Sequence, residues 1–509
     1  YARFAARAAY GWGARIREAQ YERVQQFAFV NLDRFETSSL VTRMTTDVTV
    51  LQNAVNGGLR PLARGPVMLI LGVGLSFWMS ARLALVFLVC IPALAVILFC
   101  VVRKVAPMYG RLQQSMDHMN NMVQEGLAAI RAVKAFVRGD YEAEKFQAVN
   151  RELTATSQRT FHYAVLNLPA FQLVMYLATV LLMWFGGNMV LGGTLQVGDL
   201  TGVLSYVMQV MNSLMMISNV FLLLTRTLAS ARRIAEVLDE PAAITSPQGA
   251  VTAVPDGSVE FRRVSFKYHA DAKAYALSGV DLRMEAGQTV GILGGTGSAK
   301  STLVQLIPRL YDVTEGAVLV GGRDVREYDL QALRDAVGIV LQKNVLFSGT
   351  IRENLKWGDP SADDDALWAA CRMACADEFL ERMPKGLDTD LGQGGVNVSG
   401  GQKQRLCIAR ALLKHPKILI FDDSTSAVDT ATEARIRASL AQLTDVTKII
   451  IAQRVTSVME ADQIVILEDG RVHAVGTHDS LLASDPIYQE IYASQMKGGD
   501  GDGREADRR

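Results

Sequence analysis

The fold of the C-terminal half is decided by one stretch of sequence, TVGILGGTGSAKST at residues 289–302. Residues 289–293 form an apolar run typical of a buried strand, and a glycine-rich segment follows it directly. The glycines allow backbone N–H groups to converge on phosphate oxygens, Lys300 supplies positive charge, and the Ser301 hydroxyl is suited to ligate Mg²⁺. The pattern therefore predicts a phosphate-binding loop between a strand and a helix.

A dinucleotide-binding fingerprint is the alternative interpretation of these glycines. The Lys-Ser pair immediately after the glycines favours the phosphate loop of an ATP-binding domain. Ala299 departs from the usual pattern, because glycine normally precedes the lysine. A methyl group is tolerated there only if the backbone is already helical with negative φ. We therefore expect negative φ at Ala299 and retained ATP binding.

Two further motifs lie C-terminal to the loop. A strand pattern over residues 418–421 ends in Asp422 and Asp423, which is how a nucleotidase places a carboxylate near Mg²⁺, with Asp422 on the metal side. Between the loop and this strand, a Ser-Gly-Gly-Gln sequence opens a helix whose N-terminus is suited to a second phosphate. Its residues are Ser399, Gly400, Gly401 and Gln402.

The N-terminal half contains four long stretches without charged residues, at 65–81, 83–102, 163–198 and 200–225. A bilayer core requires about 20 apolar residues per helix, so we expect four membrane spans. Buried helices of a soluble protein are the alternative, but apolar runs of this length are rare in soluble cores. The balance of 52 basic and 52 acidic residues gives no indication of a nucleic-acid partner.

Basic residues predict the orientation of these spans. Residues 1–64 carry nine Arg and residues 103–161 carry nine Lys and Arg, whereas the loop at 186–199 carries none. Under the positive-inside rule the basic segments lie in the cytosol, together with everything after residue 225. Proline and glycine between residues 241 and 257 then indicate a linker. We expect a transmembrane domain at 1–240, incomplete at its N-terminus, a linker at 241–258, a nucleotide-binding domain at 259–496 and a disordered tail at 497–509.

The phosphate loop, the Ser-Gly-Gly-Gln sequence and the acidic strand, in this order behind membrane spans, resemble an ATP-binding cassette (ABC) exporter of the multidrug type. The resemblance extends from residue 35 to residue 495. It implies a multi-span α-helical transmembrane domain of the type IV exporter class followed by an α/β P-loop ATPase domain that uses ATP and Mg²⁺. Residues 33–47 and 138–144 match the short coupling helices of the family, with ordinary amphipathic turns as the alternative.

The resemblance also implies roles for individual residues. Tyr268 is expected to stack on adenine and Gln342 to sense Mg²⁺, although a core aromatic and a solvated loop residue are the respective alternatives. Residues 426–429 are expected to contact a second subunit. The metal ligands implied are Ser301, Gln342 and Asp422. The ATP-binding set comprises Tyr268, Gly294, Gly295, Thr296, Gly297, Ser298, Ala299, Lys300, Ser301, Thr302, Gln342, Ser399, Gly400, Gly401 and Gln402.

Two residues depart from the family pattern at the predicted catalytic positions, which are Asp422, Asp423 and Gln453. Asp423 replaces the glutamate that polarises the attacking water, and its carboxylate is one methylene shorter. Misplacing a general base by about 1 Å costs on the order of 100-fold in rate. Gln453 replaces a histidine, and an amide cannot protonate or carry positive charge. We therefore expect a degenerate site that holds ATP and hydrolyses it slowly.

Each ATP site of the family is completed by the Ser-Gly-Gly-Gln sequence of a second subunit. Because this sequence is intact while the chain's own site is degenerate, and a homodimer would contain two weak sites, we expect a heterodimer with a second half-transporter, in a bacterial cytoplasmic membrane. A silent regulatory subunit and a self-sufficient homodimer are the alternatives. Methionine and weakly polar residues in the last span suit an amphipathic substrate, and simple helix packing explains them equally well.

Overall fold

The computed structural model describes residues 2–423 and 428–499, which divide into two compact units. The first unit contains the described residues of Tyr1–Val24 and Ser38–Asp239, and the second contains those of Gln25–Thr37 and Glu240–Arg509. The division at residue 240 lies at the start of the predicted linker. Residues 25–37 precede the spans in the chain but pack with the second unit.

Nine helices make up residues 2–239 of the described chain, and α2 is the one that packs with the second unit. The 48 residues of α5 extend about 70 Å at the rise of an α-helix, which is longer than a bilayer is thick. The helices are α1 (Ala2–Gln25), α2 (Phe29–Arg34), α3 (Thr37–Thr42), α4 (Val48–Met79), α5 (Ala81–Ala128), α6 (Ile130–Ala135), α7 (Gly139–Val165), α8 (Asn167–Leu191) and α9 (Val197–Asp239), with a π-helical turn at Arg43–Asp47.

Three helical segments of the described chain are long and apolar enough to cross a membrane, namely Thr37–Met79, Gly139–Leu191 and Val197–Ile217. They contain most of three of the four predicted spans. The remaining prediction, 83–102, falls on a shorter apolar segment, Ala81–Ile97, within α5. The number of described helices that meet both criteria is therefore one fewer than the four spans predicted.

Two consecutive glycines end α8 earlier than the apolar pattern suggests. Gly193 adopts a left-handed φ of +71°, and the Thr194 N–H donates to the Met189 carbonyl at 2.9 Å. This is the Schellman arrangement, in which a left-handed residue closes the last turn and satisfies its carbonyls. The uncharged stretch at 163–198 therefore contains a helix end and a loop before α9 begins.

Apolar side chains fill the interior of the helical unit. Leu83, Leu94, Leu182 and Met211 are fully buried among α5, α8 and α9. Met211 thus packs in the helix core, which supports the packing interpretation for this methionine of the last span. Many other large apolar side chains on α4, α5 and α8 are exposed, as expected for helices whose outer faces contact lipid.

An ion pair with a buried carboxylate joins the π-helical turn to α9. Asp47 is 2% exposed and accepts hydrogen bonds from Arg233 Nε and Ser230 Oγ, both at 2.8 Å. A buried carboxylate is stable only when it is paired and hydrogen-bonded. This contact therefore holds the start of the first long span against the end of the last helix.

The second unit contains two sheets. The first is antiparallel with strand order β2-β1-β4-β5, and the second has the order β10-β9-β3-β8-β7-β6 with a parallel core. The strands are β1 (Val259–Phe266), β2 (Leu277–Met284), β3 (Thr289–Gly294), β4 (Glu315–Val320), β5 (Arg323–Asp324), β6 (Val337–Val340), β7 (Ile418–Asp422), β8 (Thr447–Ile451), β9 (Gln463–Glu468) and β10 (Arg471–Gly476).

Helices pack on the larger sheet, and its central strands are buried on both faces. Every residue of β7 and β8 is buried, which explains the apolar runs at 418–421 and 449–451. The helices are α10 (Lys300–Gln305), α11 (Leu330–Ala336), α12 (Ile351–Leu355), α13 (Asp364–Met373), α14 (Asp377–Leu380), α15 (Gly400–Leu412), α16 (Thr430–Ala441), α17 (His478–Ser484) and α18 (Pro486–Gly499), with short 3-10 turns at Val325–Glu327, Gly386–Asp388, Gln393–Gly395 and Val455–Ser457.

The short helix α2 docks on the second unit. Phe29 packs against the core beneath the antiparallel sheet and contacts the Tyr311 ring edge-on, with ring centroids 5.8 Å apart. The Tyr311 hydroxyl donates to Asp33 Oδ2 at 2.7 Å. The docking segment therefore lies at Phe29–Arg34, so the predicted segment 33–47 begins too late. The apolar anchor at Phe29 lies four residues before the start of the predicted segment.

Candidate functional site

A cavity of about 580 Å³ opens at the carboxyl ends of β3, β7 and β8. These parallel strands are adjacent, so the segments that follow them meet at one edge of the sheet. The volume falls in the range of sites for drug-sized ligands. It is lined by Tyr268, Tyr275, Ala276, Thr296, Gly297, Ala299, Lys300, Ser301, Thr302, Gln342, Asp422, Asp423, Ile451, Gln453, Asp469 and Gly470.

The glycine-rich loop curves tightly between β3 and α10. A Cβ on Gly294 would lie 2.2 Å from the Leu467 carbonyl oxygen, so only glycine fits there. The Lys300 ammonium group lies across the loop and donates to the carbonyls of Gly294 and Gly295 at 2.9 and 2.7 Å. Burial lowers the pKa of Lys300, while the nearby carboxylates of Asp423 and Asp422 act in the opposite direction.

The backbone at Ala299 differs from the sequence expectation. Its φ is +69° and its ψ is 27°, so the predicted negative φ is wrong. Helix α10 begins one residue later, and Ala299 completes the loop in a left-handed conformation before the helix starts. An alanine in this region costs about 1–2 kcal/mol relative to the right-handed one. The loop of this chain therefore carries a strain that glycine would avoid.

An acidic residue pair faces the loop from the end of β7. The Ser301 hydroxyl donates to Asp422 Oδ1 at 2.7 Å. Asp422 is 3% exposed. Burial raises its pKa and the adjacent Asp423 carboxylate raises it further, while the Ser301 hydroxyl and the Lys300 ammonium lower it. Without a cation, the Asp422 and Asp423 carboxylates therefore hold their negative charge at a cost in folding free energy.

Asp423 and Gln453 contact each other directly. The Gln453 side-chain amide donates to Asp423 Oδ2 at 2.7 Å, and Gln342 also hydrogen-bonds to the Asp423 carboxylate. Asp423 has a left-handed φ of +47°, and its N–H donates to the Ile451 carbonyl at 3.2 Å. Burial raises the pKa of Asp423, while the hydrogen bonds and Lys300 lower it.

The donor set fits a magnesium nucleotide. Mg²⁺ prefers oxygen ligands and is commonly held by one or two carboxylates together with substrate phosphates. Ser301, Asp422 and Gln342 provide a hydroxyl, a carboxylate and an amide oxygen in the same cavity. The described residues contain no group of three or more His, Cys, Asp or Glu side chains suited to hold a metal by themselves. Phosphate oxygens would therefore complete the coordination.

Tyr268 lies between the cavity and the core. Its hydroxyl shares a hydrogen bond with Thr302 Oγ1 at 2.8 Å, and its ring packs edge-on against Phe266 and Tyr311. Part of the ring therefore faces the cavity while its edges contact the core. Five cavity residues were not predicted from the sequence, namely Tyr275, Ala276, Ile451, Asp469 and Gly470. Asp469 is the first residue of an Asp-Gly turn between β9 and β10, a signal that indicates only a hairpin.

The Ser-Gly-Gly-Gln sequence does not line this cavity. Ser399 caps α15, and its hydroxyl accepts from the Gln402 N–H at 3.3 Å while Gln402 Oε1 accepts from the Ser399 N–H at 2.8 Å. This reciprocal capping box leaves Ser399 and Gly400 exposed at a helix N-terminus. In the predicted subunit contact, residues 426 and 427 lie outside the described residues. Asp429 caps α16 by accepting from the Thr432 N–H at 2.9 Å.

Comparison with known proteins covers both units. Residues 1–214 match the ABC transporter transmembrane region family, and residues 277–426 match the ABC transporter family. The uncharacterized ABC transporter ATP-binding protein YfiB of Bacillus subtilis is 38% identical over 493 residues, covering 97% of this chain and 86% of the relative. The ATP-dependent lipid A-core flippase of Desulfotalea psychrophila is 33% identical over 461 residues, covering 90% and 80%.

A solved structure of a bacterial Atm1-family ABC exporter with ATP bound superposes with a TM-score of 0.83 at 27% identity, covering 96% of this chain and 86% of that one. In this chain, apolar helices come first and are followed by an α/β domain that contains the phosphate loop and the acidic strand. The predicted fold class is confirmed. The chain belongs to the ABC transporters, as a membrane-spanning exporter half-transporter that couples ATP to export.

Proposed function

We propose that this chain is the degenerate-site subunit of a heterodimeric ABC exporter. The observation that carries the proposal is the 2.7 Å hydrogen bond between Gln453 and Asp423, the two positions that depart from the family pattern. The pair occupies the cavity where the resemblance implies a general base and a γ-phosphate contact. The shortened carboxylate of Asp423 stands at the position of the general base, and the neutral amide of Gln453 stands at the position of the γ-phosphate contact.

The contacts of Asp423 make it a poor general base. Its carboxylate receives hydrogen bonds from Gln453 and Gln342, so an attacking water must compete with two amides. The side chain is also one methylene shorter than glutamate, and a displacement of about 1 Å costs on the order of 100-fold. Gln453 offers no positive charge to a developing phosphate charge. We therefore infer slow hydrolysis at this site.

Nucleotide binding uses other residues, which match the family pattern except at Ala299. When bound, ATP supplies the phosphoryl group and Mg²⁺ neutralises charge on it. Lys300 and the loop amides would hold the phosphates, with Ser301, Asp422 and Gln342 toward the cation and Tyr268 toward the base. Gln342 also hydrogen-bonds to Asp423, whereas the contacts of Lys300, Ser301 and Tyr268 described above go to other residues. The site therefore suits ATP retention more than turnover.

The exposed helix N-terminus at Ser399 and Gly400 suits a second subunit. Its backbone N–H groups and helix dipole favour an anion, and the capping box keeps the turn closed. A partner half-transporter with intact glutamate and histidine would place its own phosphates there. A homodimer would combine two slow sites, which is why we favour a heterodimer.

The transmembrane half and one relative support a proposal for the substrate class. The lipid A-core flippase shows that a protein of this family acts on a large amphipath. We propose that this chain exports an amphipathic molecule across a bacterial cytoplasmic membrane, with the basic segments and the ATPase domain in the cytosol.

The test is ATP hydrolysis by the purified full chain, alone and mixed with a candidate partner half-transporter. We expect the chain alone to be nearly inactive, and the Asp423→Glu, Gln453→His double variant to gain roughly 100-fold in turnover. The matched control is Asp445→Glu, Gln442→His, which makes the same two changes at exposed positions outside the cavity. Rapid hydrolysis by the native chain alone, equal to that of the double variant, would refute the proposal.

A further inference from the structure

A polar crevice of about 330 Å³ lies between α5 and α7, within the helical unit and far in sequence from the nucleotide cavity. Its walls are the parts of these helices that extend beyond the apolar stretches. The side chains that give it its chemistry are Arg111, Gln114 and His118 on α5 and Glu152, Thr156 and Arg159 on α7.

The crevice follows from helical spacing on both sides. On α5, Arg111, Gln114 and His118 occur at i, i+3 and i+7, and therefore share one face. On α7, Glu152 and Arg159 are seven residues apart and share a face for the same reason. The adjoining seam between helices is apolar, with Val105 and Leu112 buried. Two polar stripes thus face each other beside a packed seam.

The charge of the crevice is net positive. Two guanidinium groups outnumber the single Glu152 carboxylate, and His118 adds a further charge when protonated. Within the described part of the chain, neither Arg111 nor Arg159 forms an ion pair within 4.0 Å with a carboxylate. Surface arginines are usually solvated individually. Here two of them converge on one concavity with hydroxyl and amide donors beside them.

The same helix faces continue toward the membrane. Lys104 lies seven residues before Arg111, and its ammonium group lies 4.3 Å from the centroid of the Tyr163 ring. Tyr163 and the half-exposed Leu166 follow Arg159 at i+4 and i+7. At 1.5 Å per residue, Leu166 lies about 10 Å along the helix from Arg159, at the start of the apolar segment. A positive crevice therefore adjoins an aromatic and apolar surface.

We propose that this crevice binds the phosphate headgroup of a single-chain amphipath, whose alkyl chain runs along Tyr163 and Leu166 toward the bilayer. Guanidinium groups pair with phosphate oxygens in a bidentate manner, and Gln114 and Thr156 add neutral donors. Two sources share this chemistry, a single-chain phospholipid of the cytoplasmic leaflet and a soluble phosphate ester with one alkyl chain. The proposal rests on the proposed export function only for its biological role, because binding requires neither ATP nor a partner subunit.

The experiment measures equilibrium binding of radiolabelled dodecyl phosphate to the full chain in phosphatidylcholine nanodiscs without nucleotide. We expect saturable binding that the Arg111→Gln, Arg159→Gln double variant weakens by about 10- to 100-fold, since two charge-assisted contacts are lost. The matched control is Arg103→Gln, Arg151→Gln, which removes the same charge from the same two helices outside the crevice. It should change the affinity by less than about 2-fold.

Further arms distinguish the sources. Competition by hexyl phosphate, which stays in solution, supports a soluble phosphate ester, and competition only by added lysophosphatidylglycerol, which has one acyl chain, supports a lipid headgroup. If the glutamine variant fails to bind an ATP analogue, and so is misfolded, Arg111→Lys, Arg159→Lys keeps the charge and must still weaken binding by several-fold through loss of bidentate contacts. Equal binding by the folded variant, an equal loss in the control, or equally tight binding of dodecyltrimethylammonium would overturn the proposal. Hydrolysis results leave it unaffected.

Discussion

Replacing Asn31 by alanine is expected to release α2 from the nucleotide-binding unit. Asn31 is 3% exposed, and its side-chain amide makes four hydrogen bonds. Nδ2 donates to Glu240 Oε1 and to the Pro241 carbonyl, both at 3.0 Å. Oδ1 accepts from the Ala28 N–H at 3.2 Å and from the Ala243 N–H at 2.9 Å. One buried side chain thus joins α2 to the chain segment that enters the second unit.

The free-energy cost of the substitution depends on which hydrogen-bond partners of Asn31 are left without either a protein partner or water. The Ala28 N–H is buried, so it loses its acceptor without gaining water, which costs about 1–3 kcal/mol. The groups at Pro241 and Ala243 are exposed and are rehydrated, so they add less. We expect a total of about 2–3 kcal/mol, or roughly 30- to 150-fold in the equilibrium between docked and released α2.

Arg34 provides the matched control, because it contacts the same Glu240. Its ion pair has an N–O distance of 2.5 Å, but its side chain is 66% exposed. Exposed pairs contribute about 0–1 kcal/mol after solvent screening, so Arg34→Ala should shift the same equilibrium by less than about 5-fold. Asn31→Asp places a carboxylate against Glu240 and should disrupt docking at least as much as alanine does.

The assay is hydrogen–deuterium exchange of the full chain, followed at the backbone amides of Phe29–Arg34. Asn31→Ala should accelerate their exchange by roughly 30-fold or more, while the amides of β7 stay protected. Unchanged exchange in Asn31→Ala, or an equal acceleration in Arg34→Ala, would refute the reasoning that the buried amide rather than the surface ion pair holds α2.

Three further outcomes are expected. Ala299→Gly removes left-handed backbone strain of about 1–2 kcal/mol, while the greater entropy of the unfolded chain costs about 0.5–1 kcal/mol. The Tm of the ATP-free chain should therefore rise slightly, and a lower Tm would contradict the strain argument. Folding raises the pKa of Asp422, because its charged form is buried. The ionised carboxylate therefore destabilises the folded state fully above the folded pKa, and this destabilisation vanishes below the unfolded pKa of about 3.9. Asp422→Asn should therefore raise the Tm of the ATP-free chain at pH 7 but not below about pH 4, and a lowered Tm at pH 7 would oppose this sign. Asp47→Ala should destabilise by about 1–3 kcal/mol, because the buried Ser230 hydroxyl loses its acceptor. Glu125→Ala, at the exposed pair with Lys145, should cost less than about 1 kcal/mol, and equal Tm changes would disprove the role of burial.

Local patterns predicted much of the cavity. The loop after β3 and the carboxylates after β7 were recognisable because glycine spacing and apolar strands are encoded in consecutive residues. Gln453 follows β8, and strand order places it next to Asp423. The φ of Ala299 was mispredicted, because the loop geometry depends on the bond from Lys300 to the Gly294 carbonyl and on the close approach of Gly294 to the distant Leu467 backbone.

The sequence by itself determined the fold class, the apolar stretches that cross the membrane, and the chemistry of the phosphate loop and acidic strand. These depend on periodicity and on residue types at short spacing. Only the tertiary structure decided that Asn31 anchors α2 near Glu240, that Asp423 and Gln453 share a hydrogen bond, and that arginines of α5 and α7 face one crevice. Such contacts join residues 30 to more than 200 positions apart, and they form only when the helices and sheets pack.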